Sequence, residues 1–130
     1  MILVDSSVWI AYFNGIASRE TDLLDRLLET EPLCIGDLIL TEVLQGFRAD
    51  ADYRRAKALL ELLRFEQLGG RDVALAAAVN YRHLRRRGVT VRKTIDMIIA
   101  TWCLLNNADL LHSDRDFDVI AKHFSLRCLC

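Results

Sequence analysis

The sequence of 130 residues contains a single proline, Pro32, and no segment in which glycine, serine or proline is concentrated. It also contains no internal repeat and no low-complexity segment that would mark a linker between domains. A chain of this length is sufficient for one domain built around one hydrophobic core. We therefore predict a single domain that spans residues 1–130.

Long hydrophobic runs are missing as well. No apolar stretch approaches the roughly 20 residues that a helix needs to cross a bilayer. The first apolar run, Ile2–Val4, is too short for the hydrophobic region of a signal peptide and leads directly into Asp5. We therefore expect a cytoplasmic protein with no membrane partner.

Cysteine is sparse, with four residues at positions 34, 103, 128 and 130. In a cytoplasmic chain such residues are expected to be buried thiols rather than disulfides. Cys128 and Cys130 form one close pair, but no second Cys or His pair stands at the spacing of a zinc finger. The sequence therefore argues against a structural zinc site.

The chain has almost no excess of either charge, because its formal net charge is −1. The whole molecule is therefore not a general attractor of nucleic acid. The distribution is less even than the sum, since one segment of a dozen residues carries six basic residues and no acid. These are Arg82, Arg85, Arg86, Arg87, Arg92 and Lys93.

Short apolar runs alternate with segments of helical periodicity along the chain. We predict strands at 2–5, 33–35, 110–112 and 126–129. We predict helices at 7–13, 19–30, 37–47, 52–64 and 72–87, the third of them capped by Asp37. We also predict a helix that begins at Thr94 and a short helix capped by Ser113. This alternation predicts a three-layer α/β/α fold with a mostly parallel central sheet.

Four acidic residues, Asp5, Glu42, Asp96 and Asp114, lie at the ends of these predicted elements. Asp5 and Asp114 follow the first and the third strand, and Glu42 and Asp96 lie early in helices. In a parallel sheet, the ends of strands and the starts of the connecting helices meet at one edge. We therefore expect these four carboxylates to converge at that edge.

Converging carboxylates repel one another, and a divalent cation is the partner that they tolerate best. The same acids also have structural explanations, because Asp96 and Asp114 would complement the dipoles of their helices. Asp5 is the hardest to explain in this way, since burying an unpaired charge beside an apolar strand is costly. The four residues taken together favour a metal site.

Four segments, taken in order, resemble the PIN-domain family and in particular its VapC-type ribonuclease toxins. They are Met1–Trp9, Thr41–Gly46, Thr94–Ala100 and Leu110–Phe117. The resemblance covers the whole chain and implies a PIN-like fold. It also implies a toxin that uses Mg²⁺ or Mn²⁺ to cleave RNA, forms a homodimer, and is silenced by a small antitoxin.

The resemblance implies that Asp5, Glu42, Asp96 and Asp114 are the catalytic, metal-binding residues. Asp5 and Asp96 are the first choice as direct ligands, and Glu42 and Asp114 would bind a second ion or orient water. Two details leave the surroundings of the fourth acid, Asp114, open. His112 stands where many members have Thr, and Asp116 is a candidate to share the role of Asp114.

An acidic cleft repels RNA, so basic residues are expected at its rim. Candidates for contact with the RNA backbone are Arg85, Arg86, Arg87, Arg92 and Lys93. Alternatively, these residues form a solvated helix end, where basic side chains interact favourably with the helix dipole. Trp9, Tyr12 and Phe13 are more readily explained as core or interface residues than as a platform for bases.

Two other functions compete with the nuclease. An acid-pocket phosphatase of the haloacid dehalogenase type would need a second Asp two residues after Asp5, where this chain has Ser7. A catalytically silent partner, retained for dimerisation and for binding an antitoxin and operator DNA, would tolerate loss of an acid. All four acids are present, which favours the nuclease.

Overall fold

A computed structural model describes all residues, 1–130, and contains one five-stranded sheet in the order β3-β2-β1-β4-β5. The strands are β1 Ile2–Val4, β2 Leu33–Gly36, β3 Arg64–Glu66, β4 Asp109–Leu111 and β5 Cys128–Leu129. Every neighbouring pair is parallel. The predicted parallel sheet is therefore confirmed.

Seven helices connect the strands and flank the sheet. They are α1 Ser6–Phe13, α2 Arg19–Thr30, α3 Asp37–Gln45, α4 Asp50–Leu60, α5 Arg71–Arg86, α6 Thr94–Asn106 and α7 Arg115–Ala121. None of the seven combines the length and the apolar character needed to span a membrane. The predicted α/β/α class is confirmed by this arrangement.

The hydrophobic core lies on the central strands and the helices packed against them. Leu3, Ile35 and Leu110, one from each of three adjacent strands, are almost completely buried, as are Trp9 and Phe117 from α1 and α7. Burial of a side chain of this size contributes about 1.5–3 kcal/mol. Continuous apolar runs are typical of strands that are covered on both faces, which explains why these strands were predictable.

Residues 60–66 differ most from the sequence-based prediction. A helix was predicted to run through Arg64, but α4 ends at Leu60, and Arg64–Glu66 forms the edge strand β3. Arg64 and Phe65 are exposed and Glu66 is half-buried. A strand at the edge with so little burial carries no apolar run, so its hydrophobic pattern did not reveal it.

Two predicted helix caps are also corrected. Ser113 does not cap α7, because the N-cap is Asp114, whose side chain accepts a hydrogen bond from the Asp116 N–H. Asp37 is the first residue of α3 rather than its cap. Its Oδ1 accepts hydrogen bonds from the N–H groups of Leu38 and Leu68, so it joins α3 to the segment after β3.

The four cysteines are free thiols, but they are not equally buried. Cys34 and Cys103 lie in the core, and burial raises the pKa of the Cys34 thiol to about 11. Cys128 is half-buried in β5, and Cys130 is exposed after that strand has ended. The prediction of buried thiols is therefore wrong for Cys130.

Candidate active site

The candidate site lies where the chain reverses its direction of travel across the sheet. Strands β2 and β3 extend the sheet on one side of β1, and the chain then crosses to the other side to form β4. A crevice at the carboxyl ends of the strands is the usual ligand site at such a switch point. The N–H of Asp5 donates to the carbonyl of Leu111 at 2.9 Å, which ties the ends of β1 and β4 together.

Asp5 follows β1 directly and caps α1, with only 3% of its surface exposed. Its Oδ2 accepts hydrogen bonds from the N–H of Ser7 at 3.0 Å and from Ser7 Oγ at 2.6 Å. Its Oδ1 is buried and has no hydrogen-bond partner. Burial raises the pKa of Asp5 and outweighs the opposing effect of the Ser7 hydrogen bonds.

Asp96 lies in the first turn of α6 and is 5% exposed. Its Oδ2 is also buried without a hydrogen-bond partner. Burial, followed by the negative charges of Asp5 and Asp114, raises the pKa of Asp96 to about 7. A carboxyl group in this state lacks a cationic partner strong enough to keep it ionised.

Asp114 lies in the same site, but its pKa is shifted in the opposite direction. Its Oδ1 accepts the hydrogen bond from the Asp116 N–H at 2.9 Å, and its Oδ2 lies 3.3 Å from Lys93 Nζ. Burial would raise the pKa of Asp114, but these two partners together lower it. The negative charge of Asp114 is therefore better stabilised than those of Asp5 and Asp96.

Asp116, which the sequence left open, belongs to the centre of the site. It is 8% exposed, and its Oδ2 has no hydrogen-bond partner although Arg92 Nε lies 3.5 Å away. Ligand atoms of Asp96, Asp114 and Asp116 all lie within 4.8 Å of one another. The two-residue spacing of Asp114 and Asp116 across a helix N-cap was the signal that could have identified it.

Glu42 projects from α3 at the side of this group and is half-buried. Ser6 Oγ donates a hydrogen bond to its Oε1 at 3.2 Å. Burial and the charge of Asp5 raise the pKa of Glu42. The structure therefore brings the four predicted acids to one edge of the sheet, but the tightest group is Asp96, Asp114 and Asp116 and includes neither Asp5 nor Glu42.

The residues fit a divalent cation on the chemistry of their donor atoms. Three buried carboxylate oxygens, one each from Asp5, Asp96 and Asp116, lack a hydrogen-bond donor, and only that of Asp116 has an ion-pair partner, Arg92 Nε at 3.5 Å. Orphaned acceptors of this kind are costly unless a cation or a donor satisfies them. Carboxylate oxygens are the ligands that Mg²⁺ and Mn²⁺ prefer, so the cluster matches such an ion.

The predicted basic residues divide into two groups. Arg92 and Lys93 lie at the cluster itself, next to Asp116 and Asp114. Arg85, Arg86 and Arg87 are exposed at the end of α5, and the Arg85 guanidinium lies 5.9 Å from the centre of the Tyr81 ring.

The aromatic residues of α1 pack against one another, with Trp9 in the core and Tyr12 and Phe13 half-buried. Trp9 is completely buried and stacks on Phe13, with 5.8 Å between the ring centres. Phe13 in turn contacts the ring of Phe47 from the segment after α3. The prediction that Trp9 belongs to the core is confirmed.

Comparison with known proteins gives the same assignment as the motifs. Residues 2–123 match the family model of the PIN domain. Ribonuclease VapC11 of Mycobacterium tuberculosis and a VapC ribonuclease of Mycobacterium bovis are each 35% identical to this chain over 129 residues. The alignments cover 98% of this chain and 96% of each relative.

Solved structures share the fold at lower identity. FitAcB of Neisseria gonorrhoeae superposes with a TM-score of 0.77 at 16% identity, over 100% of this chain and 97% of that one. VapBC2 of Rickettsia felis, bound to a DNA fragment from its promoter, gives a TM-score of 0.73 at 16% identity and covers 99% and 98% of the two chains.

The fold and the acidic edge thus define a class of protein, and the chain belongs to the PIN domain family. Within that family, its similarity over almost its full length places it with the VapC ribonucleases. The resemblance stated from the motifs is confirmed.

Proposed function

We propose that this protein is a metal-dependent endoribonuclease that acts in the cytoplasm as the toxin of a toxin–antitoxin pair. The observation that carries the proposal is the cluster of buried carboxylates with three orphaned oxygens at the switch point of the sheet. The reaction class is that of the VapC relatives, which are ribonucleases. Asp5, Glu42, Asp96 and Asp114 are the proposed catalytic residues, and Asp116 joins them.

Asp5, Asp96, Asp114 and Asp116 would hold the ion, which we propose to be Mg²⁺ or Mn²⁺. When bound, a divalent ion supplies Lewis acidity and positive charge for phosphodiester hydrolysis. Ser7 fixes one oxygen of Asp5 and leaves the other free for the ion. Ser6 orients Glu42 beside it in the same way.

The RNA backbone needs positive charge at the rim of an acidic cleft. Lys93 and Arg92 lie beside the carboxylates of Asp114 and Asp116 and are exposed, so they can reach a phosphate group next to the cluster. The exposed Arg85, Arg86 and Arg87 would extend this contact along the strand. Phosphate contacts of this kind position RNA and do not read its sequence.

An antitoxin is the proposed protein partner. VapBC2 of Rickettsia felis is a complex, and VapBC-1 of Haemophilus influenzae is another that shares the fold at a TM-score of 0.74. A groove on this chain is lined by the apolar rings of Phe13 and Phe47, by Arg48, and by the ion pair of Arg55 and Asp52, so that Arg48 is its uncompensated charge. An amphipathic segment with acidic residues would complement it. A homodimer, as the resemblance implies, is part of the same proposal.

The test is cleavage of total cellular RNA by purified protein that has been separated from any antitoxin. We expect discrete fragments in Mn²⁺ and none in EDTA. Asp96→Ala should lose the activity, whereas Asp22→Ala, which changes an exposed acid on α2, should retain it. Absence of cleavage by the wild-type protein would favour the silent partner, and equal cleavage by Asp96→Ala would indicate a contaminating nuclease.

A further inference from the structure

His112 is a buried histidine that the proposed reaction does not use. It follows β4 directly, two residues before Asp114, and only 7% of its surface is exposed. Its ring packs against Phe117 with 5.1 Å between the ring centres. A buried polar ring in this position needs a hydrogen-bonding explanation.

The two ring nitrogens of His112 have different partners. The N–H of Asp114 donates to Nδ1 at 3.2 Å. Nε2 lies 3.5 Å from Oδ1 of Asp118 on α7. Because Nδ1 accepts a hydrogen bond, it carries no proton, and the proton of the neutral ring is on Nε2, facing the Asp118 carboxylate.

The segment that His112 holds is the turn that carries the acidic residues. The N–H of Asp114 donates to His112, and the Asp114 side chain then accepts from the N–H of Asp116. Just before them, the N–H of Ser113 donates to Ser7 Oγ at 3.2 Å, and that hydroxyl donates to Asp5. Side chains thus fix the backbone N–H groups of Ser113, Asp114 and Asp116.

We propose that His112 is a positioning residue that fixes the backbone of Asp114, and so aims the Asp114 and Asp116 carboxylates into the metal cluster. Acceptance from the N–H two residues ahead is what Asn, Asp, Ser and Thr side chains do in local turns. In this protein the Nδ1 atom of His112 is the acceptor. The rest of the His112 ring packs against Phe117, and its Nε2 lies near Asp118. The inference rests on the proposed metal-dependent function.

The test compares two substitutions of the same shape, His112→Thr and His112→Val. Both leave a similar space beside Phe117, and both are β-branched, so they differ in one acceptor oxygen. Mn²⁺ affinity is measured by calorimetry on both variants and on the wild-type protein. Loss of a group that orients metal ligands typically costs 10–100-fold in affinity. We expect His112→Thr to bind close to the wild-type level and His112→Val to bind roughly 10-fold more weakly.

Activity supplies a second readout on the same proteins. RNA cleavage should fall in kcat for His112→Val with little change in KM, because the substrate contacts are untouched. Equal Mn²⁺ affinity in the Thr and Val variants, with a wild-type protein that binds Mn²⁺, would overturn the positioning role alone. A wild-type protein that neither binds Mn²⁺ nor cleaves RNA would overturn the proposed function, and the inference with it.

A measurement on the metal-free wild-type protein needs neither variant to fold. Two-dimensional NMR of the imidazole nitrogens distinguishes the two neutral tautomers. We expect an unprotonated Nδ1 and a protonated Nε2 for His112, whose signals are assigned in the wild-type protein through nuclear Overhauser contacts with the Phe117 ring. A protonated Nδ1 would contradict the hydrogen bond on which the inference depends.

Discussion

Asp96 is the residue at which the demands of stability and of the proposed function conflict most directly. Its carboxyl group is buried, its Oδ2 has no hydrogen-bond partner, and Asp5 and Asp114 add negative charge nearby. Without a cation this arrangement opposes folding. A site that destabilises the metal-free protein is what we expect where ligands are held ready for an ion.

The raised pKa of Asp96 predicts a dependence of stability on pH in metal-free protein. The folded-state pKa of about 7 exceeds the reference value of 3.8, so between these values the folded state binds more protons than the unfolded state. The contribution of Asp96 is therefore complete below about pH 4 and is lost as the pH rises towards 7. Each unit of the difference corresponds to about 1.4 kcal/mol.

Asp96→Asn removes this ionisation. Urea unfolding in EDTA should show the variant gaining stability over the wild-type protein as the pH rises from 4 to 8. The exposed Asp22→Asn serves as the control. A difference between Asp96→Asn and the wild-type protein that does not change with pH would contradict the raised pKa.

Asp5→Asn separates a metal ligand from a structural acid. Asn caps a helix as well as Asp does, so α1 should keep its N-cap. In EDTA the variant should melt slightly above the wild-type protein because repulsion from the neighbouring acids is relieved. Added Mn²⁺ should raise the melting temperature of the wild-type protein but not of the variant. An undiminished Mn²⁺ shift in Asp5→Asn would exclude Asp5 as a ligand.

At the scale of elements, the junction of β2 and α3 sets the position of Glu42. Gly36 is buried at the end of β2, and an added Cβ would overlap the side chain of Leu68, which is completely buried. The Asp37 carboxylate accepts a hydrogen bond from the N–H of Leu68 at the same place. Close packing of these two segments therefore requires glycine at position 36.

Gly36→Ala should destabilise the protein by about 1–3 kcal/mol, the usual cost of overpacking a core. Gly69→Ala is the matched control, because nothing lies within 4 Å of the position of its added Cβ. Denaturant unfolding of both variants provides the measurement. If the two variants were equally stable, the contact between Gly36 and Leu68 would not constrain this junction.

The elements that the sequence predicted are those with a buried apolar pattern. Helix α2 was predicted with its observed bounds, because apolar residues recur at helical spacing and Pro32 follows. The exposed strand β3 lacks such a pattern and was missed. Its position is determined by pairing with β2, an interaction between distant segments that periodicity does not encode.

The convergence of acids was predictable because parallel topology brings strand ends to one edge. Which acids form the tightest group was not predictable from the sequence. Asp116 belongs to it because its N–H donates to the side chain of Asp114, the N-cap of α7. Asp5 and Glu42 lie outside it, where Ser7 and Ser6 donate hydrogen bonds to them. These are differences in local position, which depend on side-chain hydrogen bonds rather than on the order of elements.

At the scale of the whole molecule, a net charge of −1 conceals a separation of charge. A cluster of acids lies at the carboxyl edge of the sheet, and Arg85, Arg86 and Arg87 are exposed at the end of α5. Binding of single-stranded RNA by such basic residues releases counterions, so the affinity falls with salt.

Replacing Arg85, Arg86 and Arg87 together by Gln should weaken binding of single-stranded RNA to a similar extent for all sequences. The slope of log affinity against log salt should become shallower by roughly 0.7 for each phosphate that is no longer neutralised. Binding is measured in Ca²⁺ or EDTA with Asp96→Ala, which the proposed function predicts to be inactive, so that the RNA remains intact. Arg54→Gln with Lys57→Gln on α4 provides a control with two charges removed. An unchanged slope in the α5 variant would place the RNA elsewhere.

The most direct test of the central claim is a crystal structure of the protein soaked in Mn²⁺, with anomalous diffraction recorded at a wavelength where manganese scatters strongly. We expect a peak within bonding distance of Asp5 Oδ1, Asp96 Oδ2 and an oxygen of Asp114 or Asp116, with Lys93 displaced from Asp114. Manganese bound only elsewhere, or no peak at millimolar Mn²⁺, would contradict the claim that these carboxylates form a metal site.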